Sequence, residues 1–137
     1  MSAYIPGLEG VVAARTRLSH VDGQNGILII GGMPLETLAL SGTFEEGCFL
    51  LWHDRLPNAA ELAALKARMV AARELPAATM DLLRGAAAVK APVIDALRMA
   101  VATLSLDDPE PESETLEAQQ RRAESIVARC PIIVATY

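Results

Sequence analysis

Hydrophobic and polar positions change their period along the chain, and this change predicts two kinds of structure. Before about residue 32, the apolar runs at Val11 and Val12 and at residues 27–30 flank a polar segment at 22–26 that is rich in Gly, Asn and Asp. Such runs predict a β-ribbon, whose second strand ends at a pair of glycines. From residue 33 onward the apolar residues recur at helical spacing, so an all-α body is predicted behind a small N-terminal ribbon.

Two segments carry the same capping pattern, which marks the start of a helix. T-F-E-E at 43–46 and N-A-A-E at 58–61 each place a glutamate three residues after a Thr or Asn, so each side chain can accept the exposed backbone N–H of the other residue. The first helix is predicted to end near Pro57 and is apolar around much of its circumference. The apolar stripe of the second helix consists of Leu62, Leu65 and Met69.

Three further helices are predicted in the second half. One runs from Pro76 to Gly85, one begins at Pro92, and one covers 115–129, because proline suits a first helical turn and glycine a helix end. The inward stripe of the second is Ile94, Leu97, Val101 and Leu104. In the last helix, the pattern places Leu116, Ala123, Ile126 and Val127 inward and Gln119, Arg121, Arg122 and Glu124 toward solvent or a partner.

An acidic segment precedes the last helix, and an apolar segment follows it. The acidic loop, residues 107–114, combines two prolines with five carboxylates, which predicts an exposed connection; an acidic interaction segment is the alternative. The tail at 132–137 is apolar and has no capping glycine. Leaving it exposed is costly, so we expect it to pack against something; for the isolated chain we expect self-association, a need for further chain, or partial disorder of the last residues.

Composition narrows the class of protein. The 137 residues suffice for one domain, and 52% hydrophobic with only 4% aromatic content favours closely packed helices. A net charge of −5 with scattered basic residues disfavours a nucleic-acid surface. No apolar run approaches 18 residues and no leader is evident, so no membrane contact and a cytoplasmic location are expected. Cys48 and Cys130 lack a paired spacing, which favours buried reduced thiols.

Two histidines are the candidates for chemistry. His20 lies two residues from Asp22, a spacing that allows a carboxylate to orient an imidazole for acid–base work or metal binding. The simpler interpretation is that both side chains satisfy backbone groups of the turn. His53, next to Asp54, falls at a predicted helix C-terminus, where a cation is favoured by the helix dipole. No Ser/His/Asp set, phosphate-binding glycine loop or metal-ligand spacing occurs.

An ordered set of short motifs carries a resemblance to a known family. G-L-E-G-V-V-A-A, T-x-L-S-H-V-D-G, N-G-I-L-I, L-E-T-L-A, F-E-E-G-C-F-L-L-W-H-D-R-L-P and P-V-I-D-A-L-R-M-A-V-A-T-L-S-L follow one another along the chain. This order resembles the amino-terminal part of the citrate synthase family and covers nearly the whole chain. Asp54 stands where a turn glycine is usual in that family.

The resemblance implies a multi-helical citrate synthase-like fold, with residues 1–137 forming the amino-terminal part of a citrate synthase-type domain that is cut short at its C-terminus. Such enzymes condense acetyl-CoA with oxaloacetate to citrate and CoA, using two histidines, an aspartate and arginines whose motifs lie beyond Tyr137. No catalytic, cofactor-binding or metal-ligating residue is therefore predicted here, and the isolated chain is expected to be inactive. Acetyl-CoA is a substrate of the complete enzyme only.

Two partners are implied by the resemblance: a second copy of the chain, as in a homo-oligomer, or the missing C-terminal catalytic portion. The alternative function is a non-enzymatic helical interaction protein derived from the same family. A truncated gene is a third possibility. The residues favour none of these three possibilities over the others. They also do not distinguish an enzyme that uses acetyl-CoA from one that uses propionyl-CoA.

Overall fold

A computed structural model describes Gly7, residues 10–12 and residues 14–137. The remaining residues of the predicted N-terminal ribbon, 1–6, 8, 9 and 13, lie outside this description. The chain forms two compact units, residues 1–62 and 63–137. The strands are β1 (Ser19–Asp22), β2 (Ile27–Ile30) and β3 (Met33–Pro34). The α-helices are α1 (Leu35–Ser41), α2 (Phe44–His53), α3 (Ala59–Ala71), α4 (Ala77–Ala88), α5 (Val93–Thr103) and α6 (Leu116–Thr136), with a 3₁₀ turn at Leu104–Asp107. The predicted helical fold with a small N-terminal ribbon is confirmed.

The ribbon is a three-stranded antiparallel sheet in the order β1-β2-β3. Strand β2 is as predicted, but its partner is Ser19–Asp22 and not the apolar pair at 11–12, which lies outside the strands. The prediction was wrong because β1 is an exposed edge strand that needs no apolar run. The glycine pair turns the chain directly into β3, which the sequence did not predict. Gly31 and Gly32 make this turn with φ of 55° and 83°.

Both predicted capping boxes are present. In α2 the Thr43 hydroxyl accepts from the Glu46 N–H at 3.3 Å, and the Glu46 carboxylate accepts from the Thr43 N–H at 2.7 Å. The same exchange joins Asn58 and Glu61 at the start of α3. The predicted end of α2 near Pro57 is wrong, since the helix ends at His53. Asp54 stops it by taking the left-handed conformation, with φ of 57°, where the resemblance placed a usual glycine.

Helix α4 continues through the glycine that was expected to close it. Gly85 lies inside α4, and the helix ends at Ala88. The end is a Schellman arrangement: the N–H of Ala91 reaches the carbonyl of Ala86, and the N–H of Lys90 that of Ala87, both at 3.0 Å. Lys90 occupies the left-handed position, with φ of 54°, so a lysine does what a glycine usually does.

The core of residues 63–137 is formed where α5 packs on α4 and α6. The two fully buried positions of α5 are Ala96 and Ala100, which allow the helices to approach closely. Ile94 was predicted to face inward but is exposed, because it lies about 200° around the helix from Ala96. Leu104 is buried as predicted.

Helix α6 is longer than predicted and is turned differently. It runs through Pro131 to Thr136, and the fully buried Ile133 and the Tyr137 hydroxyl, which donates to the Ala91 carbonyl, attach its end to the core. The apolar tail thus packs within its own unit, although Val134 stays about half exposed. Leu116, predicted inward, is exposed. No α-helix among the described residues is long and apolar enough to cross a membrane.

Candidate functional site

The structure places His20 and Asp22 on the exposed strand β1, with Asp22 as its last residue before the turn. Asp22 caps the β1–β2 turn by accepting from the backbone N–H of Gln24 and Asn25 and from the Asn25 side chain at 2.7 Å. These bonds hold the pKa of Asp22 below its ordinary value, the Asn25 side chain being the largest cause. The carboxylate is therefore used by the turn. No hydrogen bond between His20 and Asp22 occurs among the described residues.

His53 lies at the C-terminal end of α2, where a cation was predicted to be favoured. Its ring packs on Phe49, with ring centroids 4.1 Å apart and a 37° tilt. The Arg55 guanidinium lies over the Phe49 ring, 5.2 Å from the ring centroid, in a cation–π contact. His53 is thus part of an aromatic and cationic contact that closes the helix end.

The cysteines are free thiols that are half-buried, not fully buried as predicted. Burial, with a smaller effect of the Glu45 charge, raises the pKa of Cys48 and keeps it protonated near neutral pH. Within the described part of the chain, no group of three or more His, Cys, Asp and Glu side chains could hold a metal ion.

A concave pocket of 630 Å³ lies within residues 63–137 and is here called the arginine pocket. It is bounded by α3, α6, the end of α5 and the acidic loop. Four guanidinium groups and three carboxylates line it. The charged members are Arg68, Arg121, Arg122, Arg129, Asp107, Asp108 and Glu124; the apolar ones include Ala72, Val101, Leu104 and Ile126.

Arg122 holds the acidic loop on α6. Its guanidinium donates to the Asp108 carboxylate, to the Ser113 carbonyl at 2.7 Å, and to the carbonyls of Glu110 and Pro111. The Arg122 hydrogen bond is the largest of the causes that lower the pKa of Asp108. The loop is mostly exposed, as predicted for a connection, and it is in addition bound to α6 through a carboxylate and its backbone.

Two more arginines tie separate elements together. Arg129 donates to the Asp107 carboxylate at 2.8 Å and to the Glu74 carbonyl at 3.0 Å. Arg68 on α3 makes a two-pronged bond to Glu124 on α6, with N–O distances of 2.8 and 2.9 Å. Glu124 is buried, so its prediction as a solvent-facing residue is wrong. A helix pattern scored by hydrophobicity places any glutamate outward, and the guanidinium that makes burial possible lies 56 residues away.

The pocket is built for binding and not for proton transfer. Each of its three carboxylates is bonded to a guanidinium, so these carboxylates are already engaged in ion pairs. Sequence reasoning missed this site because its members come from four segments, and none of them forms a local motif. The two predicted histidine candidates lie outside it.

Comparisons with known proteins give one consistent result. The family model described as "Citrate synthase, C-terminal domain" matches residues 7–137. The chain is 35% identical over 134 residues to the citrate synthase of Haloferax volcanii, covering 96% of this chain and 35% of that protein. For the citrate synthase of Deinococcus radiodurans the identity is 36% over 135 residues, covering 98% and 36%. The crystal structure of citrate synthase from Pyrobaculum aerophilum matches with a TM-score of 0.82 and 35% identity, covering 97% of this chain and 35% of that one.

Proposed function

The chain belongs to the citrate synthase family, and from this premise we propose that it is the amino-terminal part of an enzyme that condenses acetyl-CoA with oxaloacetate to citrate and CoA. The observation that carries the proposal is the match over almost the whole chain to about a third of each relative's length. The hairpin motif T-x-L-S-H-V-D-G, which contains β1, resembles the amino-terminal hairpin of these enzymes.

The chemistry of the reaction supports a division of labour between this part and the remainder. A condensation of this kind needs a base near the acetyl methyl group, hydrogen-bond donors for the enol and arginines for the dicarboxylate. Asp22 is used by a turn, His53 packs on Phe49, and the pocket carboxylates are paired with arginines. We therefore assign the catalytic groups to the remaining two thirds of the enzyme, and scaffold and subunit packing to this chain.

The surface of α6 suggests where that packing occurs. Ile126 and Val134 are partly exposed on a face that also carries the half-buried Val127 and Cys130. An apolar helix face of this kind fits a second copy of the chain or the rest of the enzyme. Either partner belongs to the proposal, as does a cytoplasmic location.

The coding DNA downstream of the Tyr137 codon provides the test. We expect a continuing or adjacent frame that encodes the remaining two thirds, including two histidines and an aspartate in the family's motifs. Co-expression of that part with this chain should release CoA from acetyl-CoA and oxaloacetate, and neither part alone should do so. Release of CoA by the purified 137-residue chain alone would overturn the assignment of the catalytic groups.

Substitution of the two histidines separates scaffold from chemistry in the reconstituted enzyme. His20→Ala and His53→Ala should leave turnover nearly unchanged, with at most a modest loss of stability. A hundredfold loss of turnover in a variant that stays folded would place that histidine in the chemistry. His20 would then be the first candidate, because Asp22 lies two residues away on the same strand face.

A non-enzymatic interaction protein is the second candidate function. The packed apolar tail favours it, because Ile133 and Tyr137 are already held by their own unit. Absence of the family's histidine and aspartate motifs from the downstream DNA, together with a sharp monomer mass in light scattering and a cooperative thermal transition, would support this reading over the enzyme part.

A further inference from the structure

The arginine pocket has the size and lining of a small-molecule site. Its volume of 630 Å³ lies within the range of about 300 to 1,000 Å³ that such sites occupy. Aliphatic side chains from α5, the 3₁₀ turn, α6 and the residue after α3 contribute to the lining: Val101, Leu104, Ile126 and Ala72. A ligand with an apolar body would remove these side chains from water.

The charges of the pocket favour an anion over a cation or a neutral molecule. Its lining contains four guanidiniums and three carboxylates, so one positive charge is in excess. A guanidinium presents a planar fork that matches a carboxylate or a phosphate in two-pronged geometry. A ligand that combines an anionic group with an apolar body therefore suits both parts of the lining.

Arg121 is the guanidinium best placed to receive that anionic group. It uses one of its five N–H groups, in a bond to Glu110 at 2.8 Å, and its side chain is 43% exposed. Arg122 and Arg129 are fixed instead by several bonds to the backbone and to Asp107 and Asp108. Glu110 is itself mostly exposed and does not line the pocket, so the Arg121–Glu110 pair contributes little and is easily exchanged.

We propose that the arginine pocket binds a small organic anion, a carboxylate or a phosphate ester with an apolar body, whose anionic group takes the place of Glu110 on Arg121. Binding and the Glu110–Arg121 pair then compete for the same guanidinium. Removing the two partners should therefore have opposite effects on affinity. The proposal holds whether or not the chain is part of a working enzyme.

Isothermal titration of the 137-residue chain with four probes tests the ligand class. Phenylacetate and phenyl phosphate carry the two anionic groups, phenylacetamide is a neutral analogue, and inorganic phosphate lacks the apolar body. We expect at least one aromatic anion to bind more tightly than both controls, and the comparison of the two anions identifies the preferred group. Equal binding of the neutral analogue, or no binding of either anion at millimolar concentration, would overturn the proposal.

Variants of the pair then test the site. Arg121→Gln should weaken binding of the anionic probe by about tenfold or more. Glu110→Gln should tighten binding of the same probe by about threefold, because the competing carboxylate is gone. Arg84→Gln, which removes an exposed arginine outside the pocket, is the matched control and should change nothing. Unchanged affinity in Arg121→Gln, or weaker binding in Glu110→Gln, would refute the assignment. If Arg121→Gln does not fold, Arg121→Lys and Glu110→Gln decide the question.

Discussion

The Arg68–Glu124 pair should respond unequally to the loss of its two partners. The Glu124 side chain is 9% exposed and the Arg68 side chain is 51% exposed. Removing the arginine leaves a carboxylate in a site that water barely reaches, where the Gln120 amide donates to it from 3.4 Å. Removing the carboxylate leaves a guanidinium that water can solvate. The cost of a broken ion pair is mainly the cost of the charge that stays buried.

The magnitudes follow from this difference in exposure. We expect Arg68→Met to lower the free energy of unfolding by about 2 to 4 kcal/mol, near the cost of leaving a buried charge without its partner. We expect Glu124→Gln to cost about 1 kcal/mol, because its carbonyl still accepts one guanidinium N–H and the remaining N–H groups turn to water.

Urea unfolding followed by circular dichroism measures both values, provided that the dependence on urea stays the same in all variants. The exposed pair of Arg84 and Asp81, with side chains 70% and 73% exposed, is the control. Arg84→Met and Asp81→Asn should each change stability by less than about 1 kcal/mol. Equal losses in Arg68→Met and Glu124→Gln, or a larger loss in the latter, would refute the reasoning from burial.

Three further predictions concern backbone geometry and pH dependence. Gly31→Ala should destabilise the chain by about 2 kcal/mol or more in thermal unfolding, since φ is 55° and an added Cβ would lie 2.8 Å from Leu50 Cγ; Gly26→Ala, with a similar φ but nothing within 4 Å, should cost distinctly less. Lys90→Gly should stabilise by about 1 kcal/mol because it frees the left-handed position after α4, whereas Lys90→Ala should bring no gain. The Arg55 hydrogen bond and the Asn58 N–H lower the pKa of Glu61 from 4.5 to about 2, so its contribution is complete above pH 4.5 and is lost as the pH falls toward 2. Stability curves of the wild type and Glu61→Gln should therefore converge on acidification, and a constant difference from pH 6 to pH 2 would contradict the assignment.

Features that depend on a few neighbouring residues were predictable from the sequence. The two capping boxes joining Thr43 to Glu46 and Asn58 to Glu61 were found because each places complementary groups three residues apart. Strand β2 was found for the same reason, as an apolar run next to turn residues. The family resemblance rested on the order of such short motifs along the chain.

The predictions of helix ends were wrong where a residue other than glycine takes the left-handed position after the helix. Asp54 and Lys90 both adopt the left-handed conformation, so α2 ends before the expected proline and α4 ends after the expected glycine. A non-glycine residue costs about 1 kcal/mol or more in that conformation, and surrounding contacts decide whether it is tolerated. Those contacts are not readable from the local sequence.

The predictions of the inward faces of α5 and α6 were wrong for another reason, which also explains why the pocket was not predicted. Hydrophobicity ranks Ile94 and Leu116 above Ala96, Ala118 and Glu124, yet the smaller residues and the glutamate are buried. Close approach of helices rewards small side chains at the contact, because larger ones would hold the backbones apart. Burial of Glu124 requires Arg68 on α3, and the position of the acidic loop requires Arg122 on α6. Each of these charges has its partner in another element, so the arginine pocket exists only once the helices have packed. Because the paired residues of this site are far apart in the sequence, no local motif with a fixed spacing reveals it.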